Sequence, residues 1–201
     1  MGLAEAMSIE TVWALLLGYL CGSIPFGLLL TKAAGLGDVR NIGSGSIGAT
    51  NVLRTGNKGL AAATVLLDAA KGAVPVLVAA HFWPGTEGVV AIGAVAGHCF
   101  TPWHKFKGGK GFATAAGVLG ALAWPAMLIC AAIWAVTLAL SRISSVSSMT
   151  TVIAAPLIVW GLRLPQLILP LVVIAAIVLF QHRANIARLT RGEEPKVGSK
   201  K

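Results

Sequence analysis

Apolar positions in this chain fall in long blocks, with neither the strict alternation of half-buried strands nor the single stripe of a soluble amphipathic helix. The first block covers residues 12–30 and ends at Thr31-Lys32. A polar stretch, 35–58, separates it from a second block at 59–82, which closes at Trp83-Pro84-Gly85-Thr86-Glu87. A short third block, 88–100, runs into a basic stretch that reaches Gly111. Residues 112–140 are apolar for too long to be one ordinary span, and Pro125 stands near their middle. Blocks at 146–161 and 164–180 precede a basic tail. Blocks of this length predict membrane-crossing helices, although several fall short of the roughly 20 residues that cross a hydrocarbon core. The polar connections are therefore expected to dip back toward the protein, which is tolerated where they are buried or line a wet cavity. Gly18/Gly22 and Gly93/Gly97 are small residues at i,i+4 spacing, predicted to let helices approach closely.

Composition decides what covers those helices. Of the 201 residues 56% are hydrophobic and only 11% charged, with a mean hydropathy of +0.82. A soluble domain could not clothe its surface with so few charges, so lipid is the expected covering solvent. Cys21, Cys99 and Cys130 sit in apolar stretches without ligand-like spacing and read as small buried hydrophobes. No basic segment precedes the first apolar run, so a cleaved signal peptide is not expected.

The net charge of +9 would point to nucleic acid in a soluble protein. In a membrane protein it sets orientation. If 112–140 were one helix, the basic segment at 105–110 and the basic tail would lie on opposite sides, against the positive-inside rule. A turn near Trp124-Pro125 gives seven spans and places 14 of the 16 lysines and arginines on one side, leaving Lys71 in a span and Arg163 outside. The predicted fold is thus an all-α membrane protein of seven transmembrane helices. Its N terminus is outside and its C terminus cytoplasmic, with short helices and re-entrant polar loops on the cytoplasmic side. Residues 1–194 are expected to form one integral-membrane domain and 195–201 a basic cytoplasmic tail.

Three polar segments then stand out. The first contains Gly43-Ser44-Gly45-Ser46-Ile47-Gly48-Ala49-Thr50-Asn51-Val52-Leu53-Arg54. Its G-x-G-x-x-G spacing is weak as a dinucleotide fingerprint, because no βαβ unit can surround it. Glycines still let backbone N–H groups approach an anion, and Arg54 offers a bidentate fork for phosphate or carboxylate. The competing reading is a flexible juxtamembrane loop with basic anchors. The second segment runs from Gly97-His98 to Phe106-Lys107-Gly108-Gly109-Lys110-Gly111. It is not a Walker A loop, since Gly111 follows Lys110 where Ser or Thr is required. A lysine between glycines at a helix start is nonetheless suited to phosphate. Lys105 and Lys107 read as headgroup anchors, and His98 and His104 as hydrogen-bonded interfacial histidines. In the third segment His182, Asn185 and Arg188 recur at spacings of three, one polar face if the last helix continues.

Asp68 and Lys71 stand at i,i+3 inside a span, where charges must be paired or turned into a cavity. Arg142 and Ser144, Ser145, Ser147 and Ser148 lie at a helix end, where the hydroxyls can serve either a ligand or the helix's own carbonyls. No histidine has an aspartate five residues on, so the His-x-x-x-x-Asp base pair of common glycerolipid acyltransferases is missing; a G-x-S-x-G elbow and a metal-ligand cluster are missing too.

These three segments together resemble the PlsY family of membrane acyl-phosphate:glycerol-3-phosphate acyltransferases. G-S-G-S-I-G-A-T-N-V-L-R, G-H-C-F with F-K-G-G-K-G-F-A-T, and H-R-A-N-I-A-R-L with G-E-E match the family's three motifs in order. The D-x-x-K-G element at Asp68 and R-x-x-S-x-x-S at Arg142 fit as well. Ser46 replaces the usual Asn, and Thr101 stands where Pro is usual. The resemblance implies the same seven-span fold in a bacterial inner membrane, with the active site facing the cytoplasm. It implies transfer of a fatty acyl group from acyl phosphate to the sn-1 hydroxyl of glycerol-3-phosphate, giving lysophosphatidic acid and phosphate, the first acylation of phospholipid synthesis. It further implies Ser44, Arg54, Lys110, His182 and Asn185 as catalytic residues. Gly43, Gly45, Asn51, Gly108, Gly109, Ser145, Ser148 and Arg188 are the implied substrate contacts, the choice between Ser145 and Ser148 being open. No metal or other cofactor is implied. The implied partners are glycerol-3-phosphate, fatty acyl phosphate, membrane lipid and the soluble acyl-phosphate synthase, and not nucleic acid. A transporter of phosphorylated solutes or lipids is the alternative, but no inverted repeat is visible and the polar motifs all fall on one side.

Overall fold

The computed structural model describes residues 8–43 and 45–198 and is helical, with no strand among the described residues. The first apolar run is one block in the sequence and two helices in space: α1 (Ile9–Ser23) and α2 (Phe26–Ala33). Pro25 has no N–H to donate, and the extended Ile24 before it ends α1. A short turn, α3 (Ala49–Val52), carries the end of the first polar segment. It leads into α4 (Lys58–Phe82), 25 residues long and started by Asn57, whose Oδ1 accepts from Leu60 N at 3.0 Å.

Next comes α5 (Glu87–Cys99), followed across the basic stretch by α6 (Phe112–Leu122) and α7 (Trp124–Ser141). The predicted break in 112–140 is present, centred on Ala123 at φ −158°, with Pro125 in the first turn of α7 where its missing N–H costs nothing. The chain finishes with α8 (Ser144–Gly161), α9 (Ile168–Gln181) and α10 (Arg183–Thr190). The last two meet at a 59° bend, so the polar face expected on one continuing helix is instead built across a corner at His182.

Four segments are long and apolar enough to cross a bilayer, α1–α2, α4, α7 and α8, and the bent α9–α10 pair makes a fifth. The 13 residues of α5 and 11 of α6 rise only about 20 and about 17 Å, so neither reaches a full hydrocarbon thickness by itself. Leu66, Leu140, Trp160 and Leu169 point outward and exposed, a surface that suits lipid and not water.

Helix approach is set by glycine. Gly18 and Gly22 of α1 lie against the Val90 and Ala94 backbone of α5, and Gly93 and Gly97 lie against Leu15 and Tyr19 in return. A methyl group at any of the four would collide with main chain. The two small-residue pairs seen in the sequence are therefore one reciprocal interface. Gly72 of α4 and Gly117 of α6 do the same between those helices, against Thr114 O and Ala69 O. The main core, including Val90, Val95, Val118, Val159 and Val178, fills the space between α4, α5, α6, α8 and α9. A second, smaller cluster of Leu28, Val39, Ile47, Val52 and Ala61 fastens the first polar segment to α2 and α4. That segment is a folded loop with its own core.

Candidate active site

The first segment owes its shape to two side chains. Asp38 accepts from Arg40 N at 3.0 Å and Arg40 Nε at 2.9 Å, starting the turn Val39–Asn41. Asn51, buried, donates its amide to Val39 O (2.7 Å), Ile42 O (3.1 Å) and Ser46 O (2.8 Å). Expected as a substrate contact, Asn51 is in this geometry the loop's organiser. Its Oδ1 accepts from Arg54 Nη1 at 3.4 Å, which aims the guanidinium back over Gly43. Gly43 sits at φ +55°, and a Cβ there would land on Arg54 Nη1 and Asn51 Oδ1, so only glycine fits. Ser46, in place of the family's Asn, accepts from Gly48 N at 3.2 Å and keeps a local turn closed. Ser44 lies outside the described residues.

The second segment is stitched to α1 and α9. Thr101 Oγ1 donates to Ser23 O (2.8 Å), Trp103 Nε1 to Ser23 Oγ (2.9 Å) and Tyr19 OH to Phe100 O (2.6 Å). Arg40 Nη1 meets His104 Nδ1 at 3.1 Å, joining the first two segments. Gly109 N donates to His98 O and Gly108 N to Cys99 O, both at 3.0 Å, folding the Gly-Gly-Lys turn back on the end of α5. Gln181 Nε2 clamps the same turn from α9 through Cys99 O (2.8 Å) and Gly109 O (3.2 Å). Gly111, at φ +84°, then opens α6, whose N terminus no side chain caps. Lys110 thus stands at an open helix N terminus, with neither a hydrogen-bond nor an ion-pair partner among the described residues. Burial pushes its ammonium down to about 8, with Arg188 and Arg54 adding to the shift and Glu194 opposing it. Those three groups are therefore its electrostatic neighbours.

The third segment supplies the far wall. His182 is 2% exposed at the α9–α10 corner, and Lys110 and Glu194 both act on it electrostatically. Its Nδ1 lies 2.8 Å from Val178 O. A carbonyl can only accept, so Nδ1 carries the proton and Nε2 of the neutral ring is an acceptor. Asn185 Nδ2 donates to Glu194 Oε1 at 2.5 Å, while its own buried Oδ1 has no hydrogen-bond partner.

Glu194 went unassigned in the sequence although it is the centre of this wall. Besides Asn185 it accepts from Ser145 Oγ (2.6 Å) and Arg188 Nε (2.7 Å). Burial alone would raise its carboxyl, and the hydrogen bonds from Ser145, Asn185 and Arg188 reverse that to hold it below the ordinary range. The available signal was chemical: an acidic pair, Glu193-Glu194, in a tail otherwise basic. A second tie holds the tail, Val197 N donating to Arg142 O at 2.7 Å and Arg142 Nη2 to Val197 O at 3.3 Å. The two candidate serines separate clearly. Ser145 reaches Glu194, whereas Ser148 Oγ donates to Ser144 O of its own helix at 3.0 Å.

Lys110, His182, Asn185, Ser145 and Arg188 are therefore gathered around Glu194, and Arg54 acts on Lys110 from the first segment, with Gly43, Gly45 and Asn51 in that loop and Gly108 and Gly109 in the adjoining turn. Asp68 and Lys71 pair with each other at 2.7 Å within the helix bundle. The cluster is a cationic site with neutral acceptors, chemistry suited to anions that also carry a hydroxyl.

The comparisons agree on one family. A family model described as glycerol-3-phosphate acyltransferase matches residues 12–192. A glycerol-3-phosphate acyltransferase of Erythrobacter litoralis is 59% identical, covering 93% of this chain and 95% of the relative. One from Mesorhizobium japonicum is 56% identical over 96% of this chain and 100% of the relative. Among solved structures, the crystal structure of PlsY (YgiH), an integral membrane glycerol 3-phosphate acyltransferase in its glycerol 3-phosphate form, superimposes with a TM-score of 0.88 at 34% identity, covering 94% of this chain and 96% of that one. The lysophosphatidic acid form gives 0.86 at 33% identity.

Proposed function

From its membership in the glycerol-3-phosphate acyltransferase family, to which this chain belongs, we propose that it moves a fatty acyl group from acyl phosphate to the sn-1 hydroxyl of glycerol-3-phosphate, releasing phosphate and lysophosphatidic acid. The observation that carries the reading is the convergence of Arg54, Lys110 and Arg188 with His182 and Asn185, drawn from all three polar segments.

Both substrates are phosphate monoesters or anhydrides, and two cationic groups beside an uncapped helix N terminus suit them. The glycerol hydroxyl attacks the acyl carbonyl carbon. A carbon–oxygen bond to glycerol forms as the one to phosphate breaks, and the hydroxyl proton passes to a phosphate oxygen. An acyl phosphate is already activated and leaves as a stable anion, so a His/Asp base is dispensable. His182 Nε2 and Asn185 Oδ1 serve as acceptors that orient the hydroxyl, and Arg54 and Lys110 neutralise the phosphates. Gly43 and Gly45, and Gly108 and Gly109 whose N–H groups fold back on Cys99 O and His98 O, shape the turns that carry these groups.

The chain crosses the membrane seven times in this reading, by α1–α2, α4, α5, α6, α7, α8 and α9–α10, with the N terminus outside. The break at Ala123 and the one-sided basic segments support it. The site then faces the cytoplasm of a bacterial inner membrane, where the soluble enzyme that makes acyl phosphate can deliver it.

Purified protein in lipid, given acyl phosphate and glycerol-3-phosphate, is expected to release phosphate only when both are present. Turnover with acyl-CoA as sole donor, or solute flux without acyl transfer, would overturn this assignment.

A further inference from the structure

A buried charged group lies away from the pocket and is not used by the chemistry above. Asp68 and Lys71 of α4 pair at 2.7 Å with side chains 3% and 2% exposed, and His98 Nδ1 of α5 approaches Asp68 Oδ1 at 3.7 Å. Such a group is expensive inside a helix bundle, where apolar residues of the same volume would serve packing as well or better. Its contacts reach two irregular points. Lys71 Nζ donates to Ile24 O at 2.7 Å, at the break between α1 and α2. On the other side the His98 ring lies against Gly109, so close that a Cβ at Gly109 would fall on its Nε2 edge. The backbone repeats the contact, with Gly109 N on His98 O at 3.0 Å. The very next residue is Lys110.

We propose that His98, oriented by Asp68, is a positioning residue for Lys110: its imidazole is the floor on which the Gly108-Gly109 turn rests. The proposal builds on the reading of Lys110 as a phosphate ligand. Two features of the site require such a floor. Lys110 has no hydrogen-bond or ion-pair partner of its own among the described residues, so no polar contact fixes it and its placement depends on its backbone. That backbone is two glycines, the freest residues available. Gln181 holds the turn by its carbonyls, Cys99 O and Gly109 O, and the His98 ring closes the opposite side. The 3.7 Å approach of Asp68 to Nδ1 is beyond hydrogen-bond length, so the carboxylate faces the ring as a charge and not as a hydrogen-bond partner. Glycine at 109 is also explained, since its missing side chain is the space the ring occupies.

The test separates positioning from general packing. Asparagine can reproduce only the Nδ1 side of the ring and glutamine only the Nε2 side. His98→Gln should retain most activity, whereas His98→Asn and His98→Ala should each lose about 10²-fold in kcat/KM. Lys110 is read independently of turnover, by the rate of its modification with an amine-reactive reagent as pH is raised, followed by peptide mass spectrometry. In His98→Ala and His98→Asn the rate profile should move to higher pH as the lysine swings into solvent, and phosphate should no longer protect it. Should His98→Ala fail to fold, Gly109→Ala tests the same contact from above, and should shift Lys110 labelling in the same way. Equal losses in Gln and Asn variants, or an unchanged Lys110 profile in either His98→Asn or Gly109→Ala, would overturn the proposal. A wild-type protein inactive with acyl phosphate would instead overturn the functional assignment and leave the labelling result standing.

Discussion

Asn185 and Glu194 lie nine residues apart and meet side chain to side chain, Nδ2 on Oε1 at 2.5 Å. The contact closes the chain past α10 back on the site and makes one carboxylate the shared acceptor for Asn185, Ser145 and Arg188. The same carboxylate offsets the positive field around Lys110.

Glu194→Gln should therefore weaken both architecture and activity. Each lost charge-assisted hydrogen bond is worth about 1–3 kcal/mol, enough to lower the unfolding temperature in detergent visibly. Asp at the same position is too short to reach all three donors and should recover only part. Differential scanning fluorimetry beside a phosphate-release assay checks both effects.

Arg54→Ala and Lys110→Ala should remain folded, because neither side chain supports the core, yet lose about 10²-fold or more in turnover. Lys110→Arg should not rescue fully, since a planar fork cannot occupy the place of a compact ammonium. Near-normal activity in both alanine variants would remove these residues from the site.

Phosphate binding should weaken as pH rises through about 8. Lys110 in the free protein titrates there, and a bound anion favours its charged form, so binding takes up a proton near that pH. The stability sign follows separately. The folded pKa lies below the ordinary lysine value of 10.5, so the unfolded chain holds more protons between the two, and stability rises with pH across that window. Calorimetric titration in buffers of different ionisation heat detects the proton uptake.

Gly43→Ala should cut activity sharply with little loss of fold. The added methyl meets Arg54 Nη1 and Asn51 Oδ1, and φ +55° is strained for alanine. Gly161→Ala, whose methyl would meet nothing within 4 Å at the end of α8, is the matching control and should be silent.

Gly22→Ala and Gly97→Ala should each separate α1 from α5, because the methyl in each case meets backbone and not a movable side chain. Loss of folded protein on gel filtration is the expected result for both.

Helical elements and a lipid medium were legible in the order of residues. Blocks of apolar residues and a scarcity of charge are properties of composition and order, and both constrain helices and lipid without any knowledge of packing. The break ahead of Pro125 was equally legible, since a missing N–H acts locally. So were the three polar segments, because glycines and basic groups interrupt an apolar pattern wherever the chain places them. The tertiary structure alone decided the partnerships. It joined two separate glycine pairs into one interface, made Asn51 a loop organiser, and aimed the Ser145 hydroxyl at Glu194 and that of Ser148 at its own helix. It also turned the continuous face expected of His182, Asn185 and Arg188 into a corner. These are relations between residues distant along the chain, fixed by helix packing, and no local pattern encodes which donor will meet which acceptor.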